Sequence, residues 1–423
     1  MDRPACKPWE HGCSRRQLLG GLAGAGCTSL FNPLLADQIA TSDKQVLFIW
    51  LDGGMSQLES WDPKPNTRFG GPFRSIPTSI PGIHVSELMP QLAKRMDQLT
   101  VVRNVSTQDN SHSAGVPRML RGDPANRGVD YPWFGSAVAK LMGPCESGLP
   151  PYLWLKPGSG GFKTGAAGFL GPRYGALAFG EGLPPENLQR PASVDADSDQ
   201  ARNTLRLRLN ESFARGRRPF AGDAQAHVYD MAHILMEKRH LFDATALTEK
   251  DLDRYGRNDL GKHILTARNM IEAGVRFAQV TSYGWDTHGD NFNGHASLVP
   301  KFDQAFAALL DDLRDRGLLD QVLVVAISEF GRTPRINGHG GRDHWPEAWS
   351  MAMAGSGLKP GAVIGGTDKE GVFVDGQGYD IGHLFHTWYH ALGIDSLNAE
   401  FMNRDQPLPI AHHEMFPIKE ALA

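Results

Sequence analysis

The residues best suited to chemistry lie in one short stretch, Gly284 to Asn291, which reads Gly-Trp-Asp-Thr-His-Gly-Asp-Asn. Asp286, His288 and Asp290 crowd into a few positions. Carboxylates and imidazoles together suit a divalent cation: zinc first, with manganese, iron or calcium as alternatives. The plain alternative is a polar turn whose Asp and His bond only to backbone. Similar chemistry recurs elsewhere. Asp52 is followed by Gly53 and Gly54, and glycines let backbone approach a ligand closely. Ser111 and His112 sit where a loop meets a weak helix pattern, and a hydroxyl or imidazole there can be a nucleophile or a ligand. Glu329 lies in Ser-Glu-Phe-Gly-Arg, and His344 ends a glycine-rich loop that also holds His339, Arg342 and Asp343. Arg332, Arg335 and Arg342 are near these positions, and guanidinium matches phosphate or sulfate oxygens bidentately. Arg342, set beside glycines and metal candidates, is the one favoured to steady an anion.

Each group needs an element to position it. Gln45–Leu51 and Val322–Ile327 are continuous apolar runs of the kind found in buried parallel strands. Val275 to Ser282 is strand-like, Thr100 to Asn104 is a shorter strand, and Trp349 to Gly355 is another candidate. Asp52, Asp286 and Glu329 each lie in the loop at the end of such a run, where ligands bind in open α/β sheets. Helices are expected at Leu88–Leu99, Met231–Leu241, Asp259–Ala273 and, most clearly, Leu298–Arg316, whose stripe contains Phe302, Phe306, Leu309, Leu310 and Leu313. Gly115 and Pro117 weaken the helix pattern leading to Arg121. His383, His386 and His390 have helical spacing in Ile381–Leu392, read as a surface helix rather than a ligand set. The strand–helix alternation predicts an α/β fold: a three-layer sandwich around a mostly parallel central sheet.

Composition bounds the rest. The 423 residues are 41% hydrophobic and 21% charged, enough for a substantial core. A net charge of −4, with no broad basic field, excludes a nucleic-acid partner. Of the four cysteines, Cys6, Cys13 and Cys27 lie near the start, so their removal would leave only Cys145 and no internal disulfide. Arg15 and Arg16 precede a mild Gly/Ala-rich apolar run, like a twin-arginine export signal. Residues 1–40 are read as that signal, with the Tat translocase as partner during export. A membrane partner enters only if Cys27 is lipidated. Residues 41–423 are read as one domain, with a Gly/Pro-rich excursion over the active face at about 123–200.

Three strings, Trp-Asp-Thr-His-Gly-Asp-Asn, Ser-Glu-Phe-Gly-Arg-Thr-Pro and Gly-Gly-Arg-Asp-His-Trp-Pro, occur together between residues 285 and 346, within a resemblance that covers nearly the whole chain. In combination with the twin-arginine leader they resemble the bacterial family called domain of unknown function 1501. That family is similar to the alkaline phosphatase and sulfatase superfamily, which implies an alkaline-phosphatase-like fold and a site for two metals. By position the resemblance implies Asp52 as the first Asp, Asp286 and His288 as an Asp/His pair with Asp290 competing, Glu329 in the doublet's Asp position, and His344 as the last His. Phe330 replaces the doublet's His and cannot bind metal. The expected nucleophile position falls on Ser111 or His112. If His112 takes it, it could complete a second metal set with Asp52 and Glu329, and water replaces the Ser nucleophile.

The expected function is an exported, metal-dependent hydrolase acting on an anionic phosphate or sulfate ester. The rival is a non-catalytic periplasmic binding or assembly protein on the same scaffold, with a protein partner.

Overall fold

A computed structural model describes residues 43–122, 128–145, 147–156, 167–179, 188–215, 220–242 and 247–423. The twin-arginine segment and Cys27 lie outside these residues. Eight strands form the central sheet: β1 (Gln45–Leu51), β2 (Leu99–Val105), β3 (Tyr152–Leu155), β4 (Leu177–Phe179), β5 (Phe277–Ser282), β6 (Val322–Ile327), β7 (Trp349–Gly355) and β8 (Val363–Ile364). Their order across the sheet is β8-β2-β7-β6-β1-β5-β3-β4. Every neighbouring pair is parallel except those made by β7, which runs antiparallel to both β2 and β6. The carboxyl ends of β1, β2, β5 and β6 therefore share one edge of the sheet. The reversed β7 begins at that same edge, so the loop before Trp349 reaches it too.

The sequence alternation along the strands builds two unlike faces, because successive side chains point to opposite sides. Leu47, Ile49 and Leu51 of β1, with Ala278 and Val280 of β5, join an aliphatic core with residues of α3 (Asp259–Glu272) and α4 (Asn291–Asp315). On the other side Phe48 and Phe277 pack against Phe134 of α2 (Phe134–Leu141) and, in the case of Phe48, Trp388 of α5 (Ile381–Ala391), with ring centroids 5.5–6.1 Å apart. Burying each such side chain contributes about 1.5–3 kcal/mol relative to exposure. The result is the expected three-layer α/β sandwich around a mostly parallel sheet.

Several local expectations change. α1 (His112–Arg121) forms despite Gly115 and Pro117. Gly115 faces the Phe330 ring, where a Cβ would make ordinary contact at 3.4 Å. α4 starts at Asn291, before the predicted Leu298, with Pro300 inside it. The predicted Leu88–Leu99 helix is only two short turns, Pro90–Ala93 and Met96–Gln98. The stretch at about 123–200 is not simply an excursion: its described residues supply α2, β3 and β4. α5 is a core helix, not a surface one. His386 is buried between Ser396 and the His412 carbonyl, and His383 completes the capping box with Asp380. Cys145 is a buried free thiol.

Candidate metal centre

Three imidazoles converge on one carboxylate at the shared strand edge. Asp286 arrives on the loop after β5, His112 at the start of α1, His288 two residues beyond Asp286, and His344 on the loop before β7. His112 Nε2 lies 3.2 Å from Asp286 Oδ2, while His344 Nε2 and His288 Nε2 lie 3.0 and 3.1 Å from Asp286 Oδ1. The Nε2 atoms of His288 and His344 are themselves 3.0 Å apart. His112, Asp286 and His344 each offer a ligand atom within 4.8 Å of the others.

Each ring is held from behind. Nδ1 of His112 meets Glu329 Oε1 at 2.9 Å, Nδ1 of His288 meets Asp343 Oδ1 at 2.7 Å, and Nδ1 of His344 meets the Asn110 carbonyl at 2.7 Å. An acceptor at Nδ1 fixes the tautomer and leaves the Nε2 lone pair for the front of the ring, as in metal-ligating histidines. Lone pairs of nitrogen then face one another and an anionic oxygen, which repel unless positive charge sits among them. The protein itself favours such charge. Bonds to Asp286 and Glu329 push the His112 imidazole up to about 9. Burial opposes ionisation of Asp286, yet bonds from His112 and His344 and the Arg332 guanidinium hold it well below the ordinary carboxylate range. A tetrahedral shell with bonds of about 2.1 Å separates ligand atoms by about 3.4 Å, close to the spacings found. The donor set therefore fits a divalent cation.

The neighbouring acidic position is different. Glu329 is fully buried, its Oε1 taking the Gly53 N–H at 3.0 Å as well as His112. Its Oε2 is buried without a hydrogen-bond partner. Burial raises the Glu329 pKa, with the Asp52 charge adding to it. Asp52 Oδ1 accepts from Trp50 Nε1 at 3.0 Å. Phe330 is stacked on His344, ring centroids 4.2 Å apart, and so contributes an apolar wall there.

Residues 43–422 match the family described as "Protein of unknown function (DUF1501)". The chain belongs to that family. No curated protein matches it. Similar solved structures include a sulfatase from Pseudoalteromonas sp., 12% identical, covering 89% of this chain and 74% of that one, with TM-score 0.39. A phosphonate monoester hydrolase from Silicibacter pomeroyi is 13% identical, covering 89% and 76%, with TM-score 0.35. A protein in the alkaline phosphatase superfamily from Vibrio parahaemolyticus is 10% identical, covering 91% and 78%, with TM-score 0.37.

In this DUF1501 chain the remaining sequence candidates fall elsewhere. Ser111 precedes α1 in an extended conformation with no side-chain bond to the helix end, and its hydroxyl lies 3.4 Å from that of Ser113. Asp290 turns to Asn293 on its own helix, at 2.9 and 3.1 Å. Arg342 cannot be the anion clamp. It is completely buried, and its five N–H donors are consumed by both Glu59 oxygens and the carbonyls of Thr333, Pro334 and Phe69. Arg332 is the guanidinium at the centre, 2.6 Å from Asp286 Oδ1 and bonded to the carbonyls of Gly53, Gly54 and Arg342. Sequence reasoning did not assign roles to Asp343, the Asn110 carbonyl or Glu59. The first two stand beside residues already singled out, whereas Glu59 carried no signal beyond being a lone acid in a polar loop.

Proposed function

We propose that this chain is an exported, metal-dependent hydrolase of phosphate or sulfate esters. The observation that supports it best is the convergence of three imidazole Nε2 atoms, each ring anchored at Nδ1, on the Asp286 carboxylate. Asp286, His288 and His344 would hold the cation, with His112 beside them; Asp52 and the unpartnered Glu329 Oε2 are where a second would fit. A bound divalent cation supplies Lewis acidity toward an ester oxygen and brings the pKa of water toward neutrality. The chain's own residues do the rest. Arg332 orients Asp286 and adds fixed positive charge beside the site. His112, joined to both Glu329 and Asp286, is placed to hold or pass a proton at Nε2. Asp286 and His288 have side chains 42% and 46% exposed, so a substrate can approach from solvent. Export is supported by Arg15, Arg16 and the apolar run after them.

Phe330 favours a second reading, a non-catalytic binding or assembly protein. Its ring occupies the position where the resemblance expects a histidine ligand, and the Ser111 hydroxyl faces Ser113 instead of the cluster. One experiment separates the two. The mature chain is purified without added metal or chelator, its metal content is measured, and aryl phosphate, phosphonate and sulfate esters are assayed. Wild type is expected to carry at least one metal per chain and to turn over one ester class. Asp286→Ala and His344→Ala should lose both while keeping the wild-type circular dichroism. A folded, metal-free and inactive wild type that captures a stable partner would replace the hydrolase reading with the second one.

A further inference from the structure

The segment following β1 runs beneath the centre, and its polar side chains are unusually deep. Ser56, Gln57, Glu59 and Ser60 are all 0–1% exposed. Such residues stay buried mostly when partnered, and Gln57 and Glu59 find their partners beside the candidate ligands. The Gly53 N–H donates to Glu329, the carboxylate behind His112, and the Met55 N–H donates to Ser328 Oγ at 3.0 Å. The Gln57 amide pairs with both backbone groups of Arg332, at 2.9 and 3.0 Å.

Glu59 makes the most extensive of these links. Its Oε1 accepts from Arg342 Nη2 at 2.7 Å, and its Oε2 accepts from Arg342 Nε at 3.0 Å and from Asn291 Nδ2 at 3.1 Å. Asn291 Oδ1 accepts from the Thr287 hydroxyl at 2.7 Å, and Thr287 lies between Asp286 and His288. The Thr287 carbonyl in turn takes the Arg342 N–H at 3.0 Å, two residues before His344. Burial would push the Glu59 carboxyl up, but the Arg342 guanidinium and its hydrogen bonds outweigh that and keep it ionised.

We propose that Glu59 is a positioning residue of the metal centre. Through Arg342 and through Asn291–Thr287 it sets the separation between the loop bearing Asp286 and His288 and the loop bearing His344. An apolar pair could fill the same volume without the cost of desolvating two charges. It could not reproduce the fixed fork of Arg342, which reaches Glu59 and three carbonyls at once. Glu59 acts through these neighbours. The inference rests on reading the cluster as a metal centre.

The test titrates metal-depleted full-length protein with zinc chloride, and separately with manganese chloride, by calorimetry. Glu59→Gln removes the carboxylate and leaves the Arg342 charge buried. An unpaired buried charge is strongly destabilising, so Thr287→Val is the companion: it cuts the hydroxyl link and leaves the ion pair intact. Thr287→Ser, which restores the hydroxyl, is the rescue. Loss of supporting contacts of this kind costs about 10- to 100-fold in metal affinity. Thr287→Val is expected to weaken binding by that factor with unchanged far-ultraviolet circular dichroism, and Thr287→Ser to recover it. Folded Thr287→Val that binds with the wild-type Kd would overturn the positioning role alone. A wild type that takes neither ion would overturn the metal centre and the role that depends on it.

Discussion

Ser111 and His112 are adjacent in sequence, yet only His112 reaches the cluster. α1 begins at His112, which places the imidazole between Glu329 and Asp286 and leaves Ser111 as the extended residue before the helix. A one-residue register of this kind is not readable from composition, since a hydroxyl and an imidazole both make sense at a helix start. The structure also separates two arginines that looked alike: Arg332 meets Asp286, whereas Arg342 is saturated inside the protein. The expected outcome is that His112→Ala lowers the metal content of the purified chain and Ser111→Ala leaves it at the wild-type value. Ser111→Ala should also change stability by no more than about 0.5 kcal/mol, as for most surface substitutions. Elemental analysis and chemical denaturation of both variants check the pair. Metal loss in Ser111→Ala with His112→Ala unaffected would reverse the assignment.

Among the elements, the loops of the centre are set by close backbone approach. A Cβ on Gly341 would overlap the carbonyl of His288, because the Gly338–Trp345 loop lies directly against the loop after β5. A Cβ on Gly53, already at φ +115°, would overlap the Asp286 backbone in the same way. Gly338 has open space around it. Gly341→Ala should therefore displace His288 relative to His344, cost about 1–3 kcal/mol as an overpacked site does, and lower metal occupancy. Gly338→Ala should do neither. Denaturation midpoints of the metal-free proteins, with metal analysis, compare the two. The strands themselves were plain in the sequence: β1, β6 and β7 begin and end where their apolar runs do. The start of α4 was not, because its first turns bury the polar Asn291 and His295 and expose Asn293 and Ser297, so hydrophobic periodicity began only later.

The whole molecule carries a buried histidine whose protonation opposes the fold. His295 is completely buried, with Nδ1 donating to the Asn291 carbonyl and Nε2 accepting the Ser56 N–H at 2.9 Å. Burial depresses its pKa below the ordinary 6.5. The unfolded chain therefore binds the proton more readily, and the stability His295 contributes is fully present above 6.5 and lost as pH falls toward its folded value. Within that window the loss is about 1.4 kcal/mol per pH unit. The stability advantage of wild type over His295→Gln should shrink between pH 7 and pH 5, measured by denaturant melts of the metal-free proteins. An advantage independent of pH would mean that His295 takes up its proton equally well in both states. By itself the sequence determined the strands that carry the site, the sandwich around a mostly parallel sheet and the groups available for metal chemistry, because apolar runs and polar strand ends are local patterns. Tertiary structure alone decided which of those groups meet. The reversed β7 brings His344 to the edge where the parallel strands end, and the one-residue start of α1 selects His112 over Ser111. The buried Glu59–Arg342 pair turns a presumed anion clamp into part of the frame. These outcomes depend on distances between residues far apart in the chain, and no local pattern encodes such distances.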